Sequence, residues 1–331
     1  MIRGVAVIGA GVMGHGIAQL YAQAGFPVRL SDVAEDRLAG ALCAVEGNLA
    51  LLVEEGVLAR SEARAVLGRI EPTTDLAYAV ADADFVTEAI PELLDAKQDL
   101  LGCLERAAPA AAILASNTST FPIGRLAARA RSPERMIITH YLNPAPLVPL
   151  VEVLAHPRTR PEVVATTLDL MRRIGKTPVL LRKEVAGFIV NRLQTAIARE
   201  AFHLVQEGVA DAQDIDAVVT DGPGFRWAFI GPIATADFGG LDTWQRVIEN
   251  LAPDLDRSET APDVLAECVR RGDLGTKTGR GIYLYEGVSM PDLLRERDRG
   301  FIRLLKLRAE ARSPDRPAAA STGTPGASRG R

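Results

Sequence analysis

The chain has 331 residues, 47% hydrophobic and 24% charged, with a net charge of −4 at neutral pH. This composition excludes wholesale disorder and supplies material for about two domains, and so mild an acidity gives no reason to expect a nucleic-acid or anionic-membrane surface. Cys43, Cys103 and Cys268 form neither a disulfide framework nor a metal-ligand cluster; they read as buried free thiols, and no metal is expected.

In chain order, residues 5–8 (Val-Ala-Val-Ile) are an apolar run bounded by glycine and predict a buried parallel strand instead of a signal peptide. Residues 11–25 carry helix-spaced apolar side chains and stop at glycine. Strand patterns follow at 27–30, 84–87, 112–115, 136–139, 150–154 and 177–181, and a broken helical pattern over 34–69 predicts a pair of helices. Strands alternating with helices imply parallel βαβ units. After about residue 185 the pattern is helical, over 184–206, 211–219 and 261–271. The expected fold class is α/β: a Rossmann-type parallel-sheet domain over residues 1–184 and an all-helical domain for substrate and dimerisation over 185–307. Residues 308–331, poor in large aliphatic side chains, are expected to be a disordered tail. No run reaches the roughly 18 apolar residues of a membrane helix, so a cytoplasmic protein without a membrane or nucleic-acid partner is expected.

Gly9-Ala-Gly11-Val-Met13-Gly14 sits between the first strand and the first helix. There the first glycine permits a tight turn, the second lets backbone approach a pyrophosphate, and the third lets helix and strand pack closely. The helix N-terminus offers unpaired N–H groups to the phosphates. Asp32 ends the second strand, where an acid can hold both hydroxyls of an adenine ribose. No Arg or Lys follows before Arg37, so NAD is the expected cofactor and not NADP.

Of four histidines, only His140 ends a predicted strand, on the edge where open α/β sheets bind ligands. Ser116-Asn-Thr-Ser119 ends the preceding strand, His140-Tyr-Leu-Asn143-Pro144 continues from the next, and Glu152 lies in an otherwise apolar strand, where an unpaired acid is costly. Gly187-Phe-Ile-Val-Asn191-Arg opens the helical domain, and Gly275-Thr-Lys-Thr-Gly279-Arg-Gly-Ile-Tyr283 closes it. This order of motifs, from Ile2 to about Tyr285, resembles the L-3-hydroxyacyl-CoA dehydrogenase family. The resemblance implies oxidation of a 3-hydroxyl to a ketone, with His140 as base, Glu152 orienting it, Ser119 bonding the reacting oxygen and Asn191 near the substrate carbonyl. It places Glu92, Lys97 and Asn143 along the cofactor, and it implies a homodimer through the helical domain. Imidazole suits the proton transfer because it titrates near neutrality, and a carboxylate on its far nitrogen fixes the tautomer.

Two stretches depart from an acyl-CoA enzyme. Residues 48–56 carry Glu54 and Glu55 and no lysine where acyl-CoA enzymes of the family place basic residues toward CoA, although Arg60, Arg64 and Arg69 follow. Like charge there would weaken binding of CoA phosphates. The segments 191–200 and 221–232 resemble the λ-crystallin, L-gulonate 3-dehydrogenase and carnitine 3-dehydrogenase branch. The leading expectation is an NAD-dependent dehydrogenase of 3-hydroxyacyl thioesters. A free-acid 3-hydroxy dehydrogenase stands second, and a non-catalytic NADH-binding crystallin-like protein third. Phe225 and Trp227 are expected to pack the helical domain.

Overall fold

Strand β1 (Val5–Ile8) is buried at every position, and its alternation divides the first domain's core in two. Val5 and Val7 join one apolar cluster, Ala6 and Ile8 the other. A strand covered on both faces needs helices on both sides, which is why the run is uninterrupted and apolar. These are features of a computed structural model that describes residues 2–311.

Helix α1 (Val12–Gln23) leads to β2 (Val28–Ser31), then the paired helices α2 (Glu35–Glu54) and α3 (Arg60–Leu67). Strand β3 (Ile70–Thr73), short α4 (Leu76–Val80), β4 (Phe85–Glu88), α5 (Leu94–Ala107) and β5 (Ile113–Ser116) follow. Next come α6 (Ile123–Leu126), β6 (Met136–Tyr141), β7 (Leu150–Ala155), α7 (Pro161–Arg173) and β8 (Thr177–Leu180). The strands form one sheet in the order β3-β2-β1-β4-β5-β6-β7-β8. All neighbours are parallel except β6 and β7, which run antiparallel with His140 opposite Glu152. The sequence pattern suggested parallel units throughout. The β6–β7 connection holds no α-helix, and without a crossover two neighbouring strands reverse direction. Order reverses on either side of β1, so the carboxyl ends of β1 and β4 border the crevice where such sheets bind ligands.

The helical part comprises α8 (Val190–Gln206), α9 (Ala212–Val219), α10 (Phe225–Trp227), α11 (Pro232–Gly239), α12 (Leu241–Leu251), α13 (Asp263–Arg271) and α14 (Met290–Ala311). Asp211 caps α9 by accepting the N–H of Asp214. Helix α14 runs through residues 308–311, beyond the expected start of the tail; the remainder of that tail lies outside the described residues. Helix α14 returns to the first domain, where Ile302 is buried in its core and Leu305 packs against it. Arg295 and Arg299 pair with Glu54, while Arg299 and Arg303 pair with Glu55. The two glutamates that departed from the family pattern are therefore neutralised from the far end of the chain.

Two packing expectations are corrected. Only Cys268 is a buried thiol, since Cys43 is exposed and Cys103 intermediate. Phe225 is 71% exposed and does not pack the helical part. No helix among the described residues is long and apolar enough to cross a membrane.

Candidate active site

A cavity of about 670 Å³ runs along the carboxyl edge of the sheet, between it and the start of α8. Of the twelve residues singled out from sequence, Gly9, Gly11, Met13, Asp32, Glu92, Asn143, Ser119, His140 and Asn191 line it, joined by Arg37, Asn117 and Gln194. Gly14, Glu152 and Lys97 lie behind its wall.

At the β1–α1 turn, Gly9 has φ +102° and a Cβ there would meet Ala89 O at 2.6 Å, so both conformation and space demand glycine. A Cβ on Gly14 would strike the Gly9 carbonyl. Gly11 differs: nothing lies within 4 Å of where its Cβ would be. Protein packing leaves that space free beside the start of α1, a helix with no acidic residue in its first turn and no side-chain cap. Free volume next to unpartnered helix N–H groups fits a pyrophosphate. Asp32 is held at both oxygens, with Oδ2 accepting the Ala10 N–H and Oδ1 the Val33 N–H, each at 2.8 Å. Exposed Arg37 stands 3.7 Å from its carboxylate.

The antiparallel register sets His140 and Glu152 side by side, with His140 Nδ1 2.9 Å from Glu152 Oε2. Both are buried. Glu152 Oε1 accepts the N–H groups of Ile189 (2.8 Å) and Val190 (3.0 Å), capping α8 from another strand. Burial alone would raise the Glu152 carboxyl, but hydrogen bonds from His140, Val190 and Ile189 outweigh it and hold the group below its ordinary range. Phe188, in the left-handed region at φ +52°, packs its ring 5.3 Å from the imidazole. A bulky residue held there is strained backbone beside a functional group. With Nδ1 taken by Glu152, Nε2 is the ring nitrogen left for the cleft.

Under the opposite wall lies a second polar cluster. Lys97 is 1% exposed; its Nζ donates to Glu88 Oε1 (2.6 Å) and Ile90 O (3.1 Å) and stands 3.2 Å from Glu92 Oε2. It therefore reaches the cleft only through the glutamates, because burial demands that its charge be paired. Glu92 Oε1 accepts from the Thr118 and Thr120 hydroxyls and from the N–H groups of Ser119 and Thr120. Burial opposes ionisation of Glu92, yet these hydroxyl bonds and Lys97 lower its pKa. Ser116 Oγ donates to Glu88 Oε2 at 2.5 Å, and Asn117 Oδ1 accepts the Tyr141 N–H at 2.9 Å, tying the end of β5 to β6. Sequence reasoning missed Glu88. The signal was present, for Glu88 ends a wholly buried strand in the way that Glu152 sits in one.

A doubly covered sheet with free space at a glycine turn before a helix N-terminus, a braced acid at the end of β2 and a buried His–Glu pair has the features of a dinucleotide-dependent dehydrogenase. The comparisons narrow this. The chain belongs to the 3-hydroxyacyl-CoA dehydrogenase family, matching its NAD binding domain over residues 4–185 and its C-terminal domain over 187–285. It is 37% identical over 308 residues to 5-formyl-3-hydroxy-2-methylpyridine 4-carboxylate 5-dehydrogenase of Mesorhizobium japonicum, covering 93% of this chain and 98% of that one. A crystal structure of an enzyme of that name, described as NAD⁺-dependent, superposes with a TM-score of 0.86 over 95% of this chain and 99% of that one. L-carnitine dehydrogenase of Streptomyces griseus is 39% identical over 324 residues, 95% of this chain and 91% of that one. A probable 3-hydroxybutyryl-CoA dehydrogenase of Bacillus subtilis is 40% identical over 286 residues, 86% of this chain and 98% of that one. The protein is an NAD-dependent dehydrogenase acting on CH–OH.

Proposed function

We propose that this dehydrogenase oxidises the hydroxyl of an L-3-hydroxyacyl thioester to the 3-ketone. The observation that carries the reading is the absence of a cation beside His140 in the cleft lining. Asn117, Ser119, Asn143, Asn191 and Gln194 are neutral polar groups of the cleft, Asp32 and Glu92 its carboxylates, and among the described lining residues the one cation is Arg37, beside Asp32. Neutral amides and a hydroxyl suit a thioester carbonyl, whereas a free carboxylate buried without a cation is costly. Glu54 and Glu55, paired with α14, no longer oppose an anionic carrier by bare charge.

NAD, when bound, accepts the hydride released from the substrate carbon. His140 Nε2 takes the hydroxyl proton, and the ionised Glu152 on Nδ1 fixes the tautomer and stabilises the resulting imidazolium. The Ser119 hydroxyl hydrogen-bonds the reacting oxygen, and its backbone is held by Glu92. Asn191, the second residue of α8, bonds the substrate carbonyl. Gly9, Gly11, Met13 and Gly14 would hold the cofactor's phosphates and Asp32 its ribose, and Glu92 and Asn143 would line it in the cleft, with Lys97 acting through Glu88 and Glu92.

A second reading, a free 3-hydroxy acid as substrate, is supported by the similarity to the carnitine enzyme, which extends over 95% of this chain. NADH formation is to be measured with L-3-hydroxybutyryl-CoA, free 3-hydroxybutyrate, L-gulonate and L-carnitine, using His140→Ala as blank. Preference for the thioester upholds the first reading; preference for a free acid replaces it with the second. NADH binding without turnover of any of them would favour a crystallin-like role.

The helical part supports a homodimer. Helices α8, α9 and α12 contain no buried residue, and Ile233, Phe238 and Val218 are largely exposed in the single chain. Apolar faces of this extent mark an association surface. Sedimentation is expected to give a dimer; a concentration-independent monomer would remove the claim.

A further inference from the structure

Lys176 has no part in the chemistry above, yet it is buried at 6% exposure in the turn between α7 and β8. Its Nζ donates to Ala145 O at 2.6 Å and to Val148 O at 2.7 Å. These carbonyls belong to the segment that follows Asn143 and connects His140's strand to Glu152's. Leu147 N and Val148 N both donate to Pro144 O, so the segment makes a single helical turn. A turn of this length leaves carbonyls without intrahelical donors.

We propose that Lys176 is a positioning residue for cofactor binding, capping this turn and thereby fixing Asn143 in the cleft. The opposite side of the turn rests on α1: a Cβ on Gly16 would lie 2.8 Å from Pro146 Cδ and 3.3 Å from Ala145 Cβ. The segment is thus clamped between the helix whose N-terminus faces the phosphates and a side chain reaching in from behind. Thr177 N, next to Lys176, donates to Pro149 O at 2.8 Å and anchors the far end of the same connection. Ala145 is 1% exposed, so water cannot replace a lost donor at its carbonyl. Burial pulls the Lys176 amine down to about 7, and charged or neutral it carries the two N–H groups that the two carbonyls require. A hydrophobic residue of equal length would fill the space and leave both carbonyls bare.

The proposal rests on Asn143 meeting the cofactor, as read above, so both positions are tested together. NADH dissociation constants are to be measured on the full chain for Lys176→Met, Lys176→Arg, Asn143→Ala and Val163→Ala. The last removes packing from the buried face of α7 without touching the turn. Lys176→Met and Asn143→Ala are each expected to weaken NADH binding about 10-fold, the scale of one charge-assisted hydrogen bond. Lys176→Arg is expected to recover part of the loss, and Val163→Ala to lower stability with NADH affinity unchanged. Wild-type affinity in Lys176→Met alongside a weakened Asn143→Ala overturns the proposal. Wild-type affinity in both overturns it together with the reading of Asn143. A weakened Lys176→Met with an unaltered Asn143→Ala overturns the proposal, because the turn would then act on the cofactor by another route than Asn143. If Lys176→Met does not fold, Lys176→Leu, which likewise carries no donor, makes the same comparison.

Discussion

Glu152 holds His140 with one carboxylate oxygen and the first turn of α8 with the other. The imidazole and the helix that carries Asn191 are therefore referenced to a single side chain, and their spacing is set by one group on β7, next to the edge of the sheet. Replacing it disturbs both at once. Glu152→Gln is expected to lower kcat about 10²–10⁴-fold, the range of a positioned general base. His140→Ala is expected to fall in the same range and to keep NADH affinity, because the imidazole lies beyond the phosphate turn and Asp32. Steady-state kinetics beside NADH titration checks both, and near-normal turnover in either variant would remove the pair from the reaction.

Glu152 also gives the fold an acid limit. Its carboxyl titrates below the ordinary value of 4.5, so the native state favours the ionised form more strongly than the unfolded chain does. The resulting stability is fully present above about pH 4.5 and is lost as pH falls through the lower native value. Urea midpoints of wild type and Glu152→Gln, measured from pH 7 to pH 3, should converge as the acid range is entered. A gap that stays constant across that range would show that the charge of Glu152 contributes nothing.

The proposed ribose role of Asp32, whose two oxygens are fixed by Ala10 and Val33, makes it the expected determinant of cofactor choice. Asp32→Ser should raise the NADH dissociation constant about 10–100-fold, equivalent to losing charged hydrogen bonds to the ribose. With the acid gone and Arg37 free beside the site, NADPH binding should improve. Fluorescence titration with both nucleotides decides the matter, and unchanged selectivity would place the determinant elsewhere.

In the α14 contact, two kinds of interaction can be ranked. Ion pairs between partly exposed side chains contribute about 0–1 kcal/mol each, whereas truncating a buried isoleucine costs about 2–5 kcal/mol. Ile302→Ala should therefore destabilise the protein well beyond Arg299→Ala, whose side chain is 31% exposed. Denaturant midpoints of the two variants give the order directly. The reverse order would make electrostatics the main fastening of α14.

What the sequence made legible was local. The phosphate turn, the apolar strands and the isolated acid Glu152 each carry their reason within a few residues. Strand β3 was not legible, because Ile-Glu-Pro-Thr buries only Ile70 at a sheet edge and carries a proline. Nor was Lys97, which reads equally as a solvated helix charge until Glu88 arrives beneath it from β4. The neutralisation of Glu54 joins residues 241 and 245 positions apart, a pairing no local pattern encodes. Phe225 misled in the other direction: an aromatic in an apolar segment signals burial, and a single chain leaves it exposed.

The return of α14 to the first domain also orders events during synthesis. Translation proceeds from the N-terminus, and domains generally fold as they emerge. Here the nucleotide-binding sheet can assemble early, but one of its core positions stays open until Ile302, which follows the other helices of the helical part, has been made. Until then the end of α2 bears two unneutralised carboxylates and an uncovered apolar seat. The enzyme's first domain is thus finished only after the helices that follow it have been made.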